Sequence, residues 1–347
     1  MVERSIRVER LWSWRTFFLQ WEWLLVLIFI AVNIVDSILS PYYFTADTFL
    51  QTPMTFLDMA FLVLPMTMVI ILGNIDISVG STVALSAVIM AVAYNAGLPM
   101  VPAVILCLLV ASACGFINGL LMTKFKELSS VIVTLATMII YRGIAYVILQ
   151  DQAAGNFPKW YSSLGWGSVG GVPIILIAFA LCAVVFGLLL HKTSFGRRIY
   201  AMGSNLTASR YSGVRTDSII MIVSVLTGLM AGFTALFLTS RMGSTRPNVA
   251  QGYELSVIAM VVLGGVSTSG GKGRIAGPLL AIFIIGFLNY GLGLVNIQAQ
   301  VLLIIVGLLL ILSVLVLNLR FRGSRKSSVP PAGKSVSAKV QPNEPSS

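Results

Sequence analysis

The sequence predicts an all-α integral membrane protein with about ten transmembrane helices. Its 347 residues are 57% hydrophobic and only 10% charged, and the mean hydropathy is +0.93. A soluble domain carries about 25% charged residues. Apolar runs of about 20 residues, the length that a helix needs to cross a bilayer, recur along the whole chain. The basic residues fall in the short segments between these runs.

The apolar runs define the predicted spans. In chain order these are residues 22–39, 55–72, 77–95, 101–122, 130–149, 171–190, 218–240, 254–266, 275–293 and 299–318. The eighth run is too short to cross the hydrocarbon layer as a regular helix. We therefore expect a re-entrant or broken helix there, unless its flanks complete it.

The distribution of basic charge predicts the orientation of the spans. The first span follows an Arg-containing segment and lacks a small-residue cleavage site, so we expect it to remain uncleaved, with the N-terminus in the cytoplasm. Ten spans then place 19 Lys and Arg residues on the inner side and 3 on the outer side. This bias predicts that both termini are cytoplasmic. It also accounts for the net charge of +11 without nucleic acid as a partner.

Three regions follow from this reading: a cytoplasmic N-terminal segment (1–21), a transmembrane domain (22–320) and a tail (321–347). The tail is rich in Ser, Pro and Lys and has no apolar periodicity, so we expect it to be disordered and cytoplasmic. The cysteines Cys107, Cys114 and Cys182 lie inside apolar runs without a CxxC spacing. They are expected to be packing residues, and neither a disulfide nor a metal site is predicted.

The polar stretch His191–Asp217 separates two long apolar runs and holds five of the 23 basic residues. Within it, the pattern predicts a short helix that Asn205 caps and Gly213 ends. A basic helix held between two spans at the cytoplasmic surface can dock on a soluble partner and transmit its motion. The alternative is a solvated loop whose charge only fixes topology. The candidate docking residues are Asn205, Leu206, Thr207, Ala208, Ser209, Arg210, Ser212 and Gly213.

A tetrapeptide occurs twice, five spans apart. Gly115–Asn118 reads Gly-Phe-Ile-Asn late in the fourth span, and Gly286–Asn289 reads Gly-Phe-Leu-Asn late in the ninth. Elements five spans apart run in opposite directions through the membrane. The repeat therefore predicts a five-plus-five inverted repeat, a common plan among transporters.

Polar residues within the spans are the candidate pathway or structural residues. These are Asp76, Asn118, Arg142, Glu254 and Asn289. Asp76 follows a glycine turn and is expected to cap the next helix, with a proton carrier as the alternative. Arg142 and Glu254 are placed near outer span ends, where a long side chain can snorkel, although intramembrane charge also marks functional sites. No chain of buried carboxylates crosses the membrane, which disfavours ion-driven transport.

The glycine-rich stretch Leu263–Gly277 contains Gly271-Lys272 and invites comparison with a phosphate-binding loop. The required pattern, G-x-x-x-x-G-K-[ST], fails at both ends. Val266 stands where the first glycine is needed, and Gly273 stands where the Ser or Thr is needed. The chain is therefore not expected to be an ATPase, and the glycines are expected to serve a tight loop and close helix packing.

Four stretches carry a resemblance to a known family. They are GNIDISVGS (73–81), VIVTLATMIIYRGIAY (131–146), GRRIYAMGSNLTASRYSGV (196–214) and GYELSVIAMVVLGGVSTSGGKGRIAGPLLAIFIIGFLNYGLGL (252–294). The chain resembles the membrane-spanning permeases of bacterial ATP-binding-cassette importers for monosaccharides, the ribose-type family, over about residues 20–320. The family also includes the permease pair that imports autoinducer-2. The long tail departs from many members.

The resemblance implies a location and a set of partners. The location is the bacterial inner membrane, with lipid around a multi-pass chain. The partners are a cytoplasmic ATP-binding subunit, a periplasmic sugar-binding protein and a second permease subunit, either a copy or a homologue. No cofactor is expected on this chain, because ATP and magnesium belong to the partner ATPase. The resemblance also implies that Asn205–Gly213 matches the family's coupling helix.

The expected function is therefore that of a non-enzymatic permease subunit. It would form the pathway for a monosaccharide, namely a pentose or a deoxyhexose such as ribose or rhamnose. Autoinducer-2 import is the alternative within the family, and an ion-coupled secondary transporter or facilitator is the alternative of another class.

Overall fold

The structure is a computed structural model that describes residues 21–297 together with residues 301, 304, 305, 307, 308 and 311. This part of the chain is almost entirely helical. The helices are α1 (Trp21–Leu39), α2 (Ala46–Gln51), α3 (Pro53–Ile71), α4 (Val79–Asn95), α5 (Met100–Lys124), α6 (Ser130–Leu149), α7 (Lys159–Trp166), α8 (Ile174–Lys192), α9 (Ser194–Ser204), α10 (Leu206–Tyr211), α11 (Thr216–Met242), α12 (Tyr253–Leu263) and α13 (Ala276–Leu294). Four two-residue strands complete it: β1 (Ala154–Gly155), β2 (Ser168–Val169), β3 (Val172–Pro173) and β4 (Ser244–Thr245).

The all-α membrane class is confirmed. Seven helices among the described residues are long and apolar enough to cross a membrane. Each of the first nine predicted spans coincides with a helix to within a few residues, and the eighth corresponds to the short helix α12, which has 11 residues. The tenth span, 299–318, falls mostly outside the described residues, as do residues 1–20 and the tail.

Two helices, α3 and α11, form the centre of the bundle. The apolar window that ends with α3 is 94% buried and that of α11 is 61% buried, whereas the windows of α5, α6 and α8 are only 22–33% buried. The rings of Phe61 on α3 and Phe237 on α11 stack with their centroids 5.0 Å apart. The peripheral helices therefore present apolar faces to lipid, and the two central helices bury theirs against protein.

The repeated tetrapeptides occupy reciprocal positions. Gly115 on α5 packs against α11, where a Cβ at Gly115 would lie 3.0 Å from the Cα of Gly228. Gly286 on α13 packs against α3, where a Cβ would lie 2.5 Å from the ring of Phe56. The tetrapeptide in the first five spans thus packs against α11 of the last five, and the tetrapeptide in the last five spans packs against α3 of the first five. This reciprocal packing is what an inverted repeat requires. The repeat itself stays a prediction, because the span that would complete the second half lies outside the described residues.

Two helices, α4 and α12, begin inside the bundle. At 11 residues α12 is about 16 Å long, about half the hydrocarbon thickness. The non-helical segment before it, residues 246–252, is called the re-entrant segment below. It reaches the first turn of α4, where a Cβ at Gly80 would lie 2.6 Å from the carbonyl oxygen of Ala250. Such backbone is tolerated at membrane depth only when it is buried in protein, and both Val249 and Ala250 are buried.

Three loops meet at one end of the bundle, which we call the basic end: residues 124–130, 193–215 and 264–275. The Gly271 N–H donates to the carbonyl of Ile71 at 2.8 Å, and the Tyr200 hydroxyl donates to the carbonyl of Gly273 at 2.7 Å. Lys126 pairs with Asp217 at 2.7 Å. The glycine-rich stretch is thus hydrogen-bonded both to the end of α3 and to α9. This agrees with the expectation that its glycines serve a tight, closely packed loop.

Gly203, in the last turn of α9, is predicted to be intolerant of a side chain. A Cβ there would collide with the carbonyl of Ile71 and lie 2.5 Å from the nitrogen of Gly271. Because both neighbours are backbone atoms, Gly203→Ala is expected to destabilise the protein by about 1–3 kcal/mol. The measurement is the midpoint of thermal unfolding in detergent. The matched control is Gly143→Ala on α6, where a Cβ would meet nothing within 4 Å. A control variant that unfolds at the lower temperature of the two would contradict this packing.

Candidate functional site

The basic-end loop contains two consecutive helices, of which the sequence predicted the second. Helix α9 begins after Thr193, whose Oγ1 accepts from the Gly196 N–H at 3.2 Å. Helix α10 begins after Asn205, whose Oδ1 accepts from the Ala208 N–H at 2.9 Å, so the predicted cap is confirmed. Satisfying these first N–H groups stabilises short helices that have little packing of their own.

The end of α10 is a Schellman motif. The Gly213 N–H donates to the Arg210 carbonyl, and the Val214 N–H donates to the Ser209 carbonyl, both at 3.1 Å. Gly213 has φ +81°, which a glycine adopts without strain. The prediction that Gly213 ends this helix is therefore also confirmed. The stretch is thus an ordered helix, and the alternative that its charge only fixes topology stays open.

Helix α10 presents most of its residues to solvent. Of the candidate docking residues, Ser209 alone is buried. Leu206 is 44% exposed, and Tyr211, which the sequence analysis did not select, is 90% exposed. An exposed aromatic residue, an exposed aliphatic one and Arg210 on one short helix have the composition of an interaction surface. The docking role itself stays a prediction, because the geometry shows only that the surface is free.

Asp76 and Asn118 belong to one buried network that positions the start of α4. The Asp76 Oδ1 accepts from the N–H of Ser78 at 2.8 Å and from its hydroxyl at 2.7 Å. The Asn118 amide donates to the Ser78 hydroxyl at 2.7 Å, and the Tyr141 hydroxyl donates to the Asn118 Oδ1 at 3.1 Å. Asp76 therefore does not cap α4 directly, as the sequence analysis expected: the residue before the helix is Ser78, which makes no side-chain capping hydrogen bond, and Asp76 instead holds Ser78 in place. The network ties α4 to α5 and α6.

Arg142 holds the re-entrant segment in place. Its Nη1 donates to the carbonyls of Pro247 and Val249, both at 2.7 Å. The snorkelling interpretation is thus wrong for this residue, because the guanidinium is committed to protein carbonyls. Backbone carbonyls that leave regular structure at membrane depth need such donors.

Glu254 lies deeper than the sequence analysis placed it. Its Oε1 accepts from the Gly252 N–H at 3.2 Å, and its Oε2 is buried without a hydrogen-bond partner in the described part of the chain. A Cβ at Gly80 would collide with this carboxylate, so Glu254 stands where the first turns of α4 and α12 meet. The expectation of an outer span end is corrected: the short helix α12 starts inside the bundle because the re-entrant segment dips inward. Asn289 lies apart from this group, on α13, and its Oδ1 is buried without a partner among the described residues.

A buried ion pair was missed by the sequence analysis. The Arg241 Nη2 lies 2.7 Å from the Asp58 Oδ2, and the Tyr253 hydroxyl lies 3.5 Å from the same oxygen. The pair joins the two central helices, and Asp58 is 1% exposed. One sequence signal could have indicated it: Arg241 stands in the last turn of a span that has no acidic residue nearby. A charge in such a place needs a partner from another helix.

Comparisons with known proteins bear on this architecture. The model of one protein family, described as the permease component of the branched-chain amino acid transport system, matches residues 49–314. The chain belongs to this permease family. The match includes the two central helices, the re-entrant segment, α9 and α10. Among the described residues of this permease, no group of three His, Cys, Asp or Glu side chains is arranged to hold a metal ion.

Curated relatives of the permease have more specific names. The ribose import permease protein RbsC of Bacillus subtilis is 38% identical over 83% of this chain and 89% of its own length. The autoinducer 2 import system permease protein LsrD of Photorhabdus laumondii is 32% identical over 85% of this chain and 90% of its own. LsrD of Yersinia enterocolitica is 35% identical over 75% and 80%. No solved structure matches the permease.

Proposed function

We propose that this chain is the membrane-spanning permease subunit of an ATP-binding-cassette importer for a monosaccharide. The observation that carries the proposal is the capped, exposed helix α10 at the basic end of a permease-family bundle. Two relatives whose names specify ribose or autoinducer 2 support a small polar substrate of this class. The basic end faces the cytoplasm because positive loops are retained there. The membrane is the bacterial inner membrane, and both termini are cytoplasmic.

The energy for transport comes from a partner. A separate ATP-binding subunit binds ATP and magnesium, and this chain binds neither. Helix α10 docks on that subunit and moves with it. Its motion passes into α9, which contacts the end of α3 through Gly203 and the loop 264–275 through Tyr200. A second permease subunit completes the pathway, and a periplasmic binding protein delivers the sugar.

Reconstitution tests the proposal. The purified permease alone is expected to hydrolyse no ATP and to import nothing, because the chain lacks a phosphate-binding loop. Addition of its ATP-binding subunit and binding protein is expected to give ATP-dependent uptake into proteoliposomes. The measurement is uptake of radiolabelled D-ribose, L-rhamnose and autoinducer-2, which also separates the two substrate classes. Uptake driven by an ion gradient in proteoliposomes that hold this chain alone would contradict the proposal.

A further inference from the structure

A cavity of about 370 Å³ opens at the end of the bundle opposite the basic end. Its wall is built from the last turn of α11, strand β4, the re-entrant segment and the first residue of α12. Pockets that hold small molecules in proteins have volumes of about 300–1,000 Å³. The cavity is therefore large enough for one small ligand and too small for a folded partner.

The re-entrant segment presents polar side chains to this cavity. Arg246, Asn248 and Gln251 line it and are exposed, and their side chains have no hydrogen-bond partner among the described residues. The residues between them, Pro247 and Val249, are buried. The exposed residues of the segment are thus polar and the buried ones apolar, and Val249 and Ala250 also form part of the cavity wall. Amide side chains supply both donors and acceptors, as recognition of hydroxyl groups requires.

Two further polar groups stand unpaired in the same wall. Thr245 lines the cavity and is 1% exposed, and its Oγ1 has no hydrogen-bond partner in the part of the chain that the structure describes. The Nε of Arg241, which also lines the cavity, is likewise buried and unpaired there. Buried polar groups without partners are uncommon and call for an explanation, such as an absent ligand.

The wall is also held in a fixed shape. Arg142 binds the segment from behind through the carbonyls of Pro247 and Val249. Asp58 fixes the guanidinium of Arg241 at 2.7 Å. Ala250 has φ +56°, a left-handed conformation that costs a non-glycine residue free energy and is frequent at binding sites. A wall held by such contacts keeps its polar groups in place before a ligand arrives.

We propose that this cavity binds one monosaccharide on its way through the permease, with Asn248, Gln251 and Thr245 as its hydrogen-bonding contacts. The inference rests on the proposed function and names the sugar-contacting residues within it. A neutral polyol fits the site because the charge of Arg241 is already balanced by Asp58, whereas the amides and the hydroxyl can exchange hydrogen bonds with sugar hydroxyls. Arg246 lies at the rim as an additional donor.

Kinetics of the complete transporter test these contacts. In proteoliposomes that contain the ATP-binding subunit and binding protein, Asn248→Leu and Gln251→Leu are each expected to raise the KM for the transported sugar about tenfold, as the loss of one hydrogen bond predicts. Uptake at saturating sugar should change by less than about twofold, since energy coupling is untouched. The matched control is Gln152→Leu, an exposed glutamine near the same end that does not line the cavity. Equal KM values in all three variants and the parent would overturn the inference.

Labelling gives an independent readout. Asn248→Cys is placed in a chain whose Cys107, Cys114 and Cys182 are replaced by alanine, and the complex is held in nanodiscs, where a maleimide reaches both faces. We expect D-ribose, L-rhamnose or L-arabinose to slow the reaction at position 248 but not at Ser163→Cys, an exposed position outside the cavity. A reaction that no sugar slows, that only the binding protein slows, or that does not occur because a second copy covers the cavity, would each overturn the site.

Failure of the site and failure of the proposed function are distinguishable. If the parent transporter shows ATP-dependent uptake while the substitutions leave KM and labelling unchanged, the cavity is not the sugar site, and the permease assignment stands. If the parent transporter imports none of the sugars when ATP is supplied, the proposed function fails, and the inference fails with it.

Discussion

Arg241→Met is expected to destabilise the permease by about 3–5 kcal/mol, because it leaves the buried carboxylate of Asp58 without its cation. The Asp58 side chain is 1% exposed, and Arg241 is its ion-pair partner at 2.7 Å. A carboxylate enclosed by two central helices cannot turn outward to water. The measurement is the fraction of protein that remains monodisperse in detergent after heating through a temperature series. The variant should lose this fraction at a clearly lower temperature than the parent.

The double variant Asp58→Leu/Arg241→Met is the control for this prediction. It removes both charges and fills the space with apolar side chains, so it is expected to recover most of the lost stability. Asp58→Asn alone should cost less than Arg241→Met, because the Arg241 side chain is 20% exposed and lines the cavity, where water can solvate it. A double variant as unstable as Arg241→Met would show that the arginine acts through packing, and it would contradict the ion-pair argument.

Gly213→Val is expected to abolish uptake by the assembled transporter while membrane insertion remains normal. Gly213 has φ +81°, and a Cβ there would meet nothing within 4 Å, so the cost is backbone strain of about 1–3 kcal/mol rather than a collision. That strain opposes the Schellman motif that ends α10 and shifts the surface that is proposed to dock on the ATP-binding subunit. A bundle held by many spans tolerates it. The measurements are co-purification of the ATP-binding subunit and ATP-dependent uptake.

Two variants make the coupling prediction specific. Gly213→Asn is expected to keep association and uptake close to normal, since asparagine adopts the left-handed conformation more readily than other residues that carry a Cβ. Ala208→Glu leaves the backbone unchanged but adds bulk and charge to an exposed position of α10, and it is expected to lose both. If Gly213→Val and Ala208→Glu bind the ATP-binding subunit and import sugar at the normal rate, helix α10 is not the coupling element.

Local signals in the sequence were sufficient for the spans and for α10. Hydropathy is summed over neighbouring residues, and a helix cap involves residues three or four positions apart, so Asn205 and Gly213 could be interpreted without knowledge of the fold. Helix α9 was missed because its polar residues carry no transmembrane signal and its packing depends on Ile71 and Gly271, which are distant in sequence.

Long-range contacts explain the remaining differences. Asp58 and Arg241 are 183 residues apart, and Arg142 is 105 residues from Pro247. The local pattern identifies neither partner, because each lies on an element distant in sequence: Arg241 indicates that a partner is needed, but not that it is Asp58. The depth of Glu254 was misjudged for the same reason. Hydropathy predicts that the eighth apolar run is short. It does not predict from which side of the membrane the chain turns inward to reach that run.

The length and crossing point of α11 have a mechanical consequence. The helix runs without interruption for 27 residues, or about 40 Å, from just after α10 to Arg241 in the cavity wall. It crosses α5 closely at Gly228, about midway along, where neither Gly228 nor the facing Gly115 has room for a side chain. This geometry makes α11 a lever with its fulcrum at Gly228. A tilt of about 10° about that point displaces each end by about 3 Å in opposite directions. If α10 docks on the ATP-binding subunit as proposed, a pull on the adjoining end of α11 would move the wall of the cavity the other way, as a second route beside the one through α9.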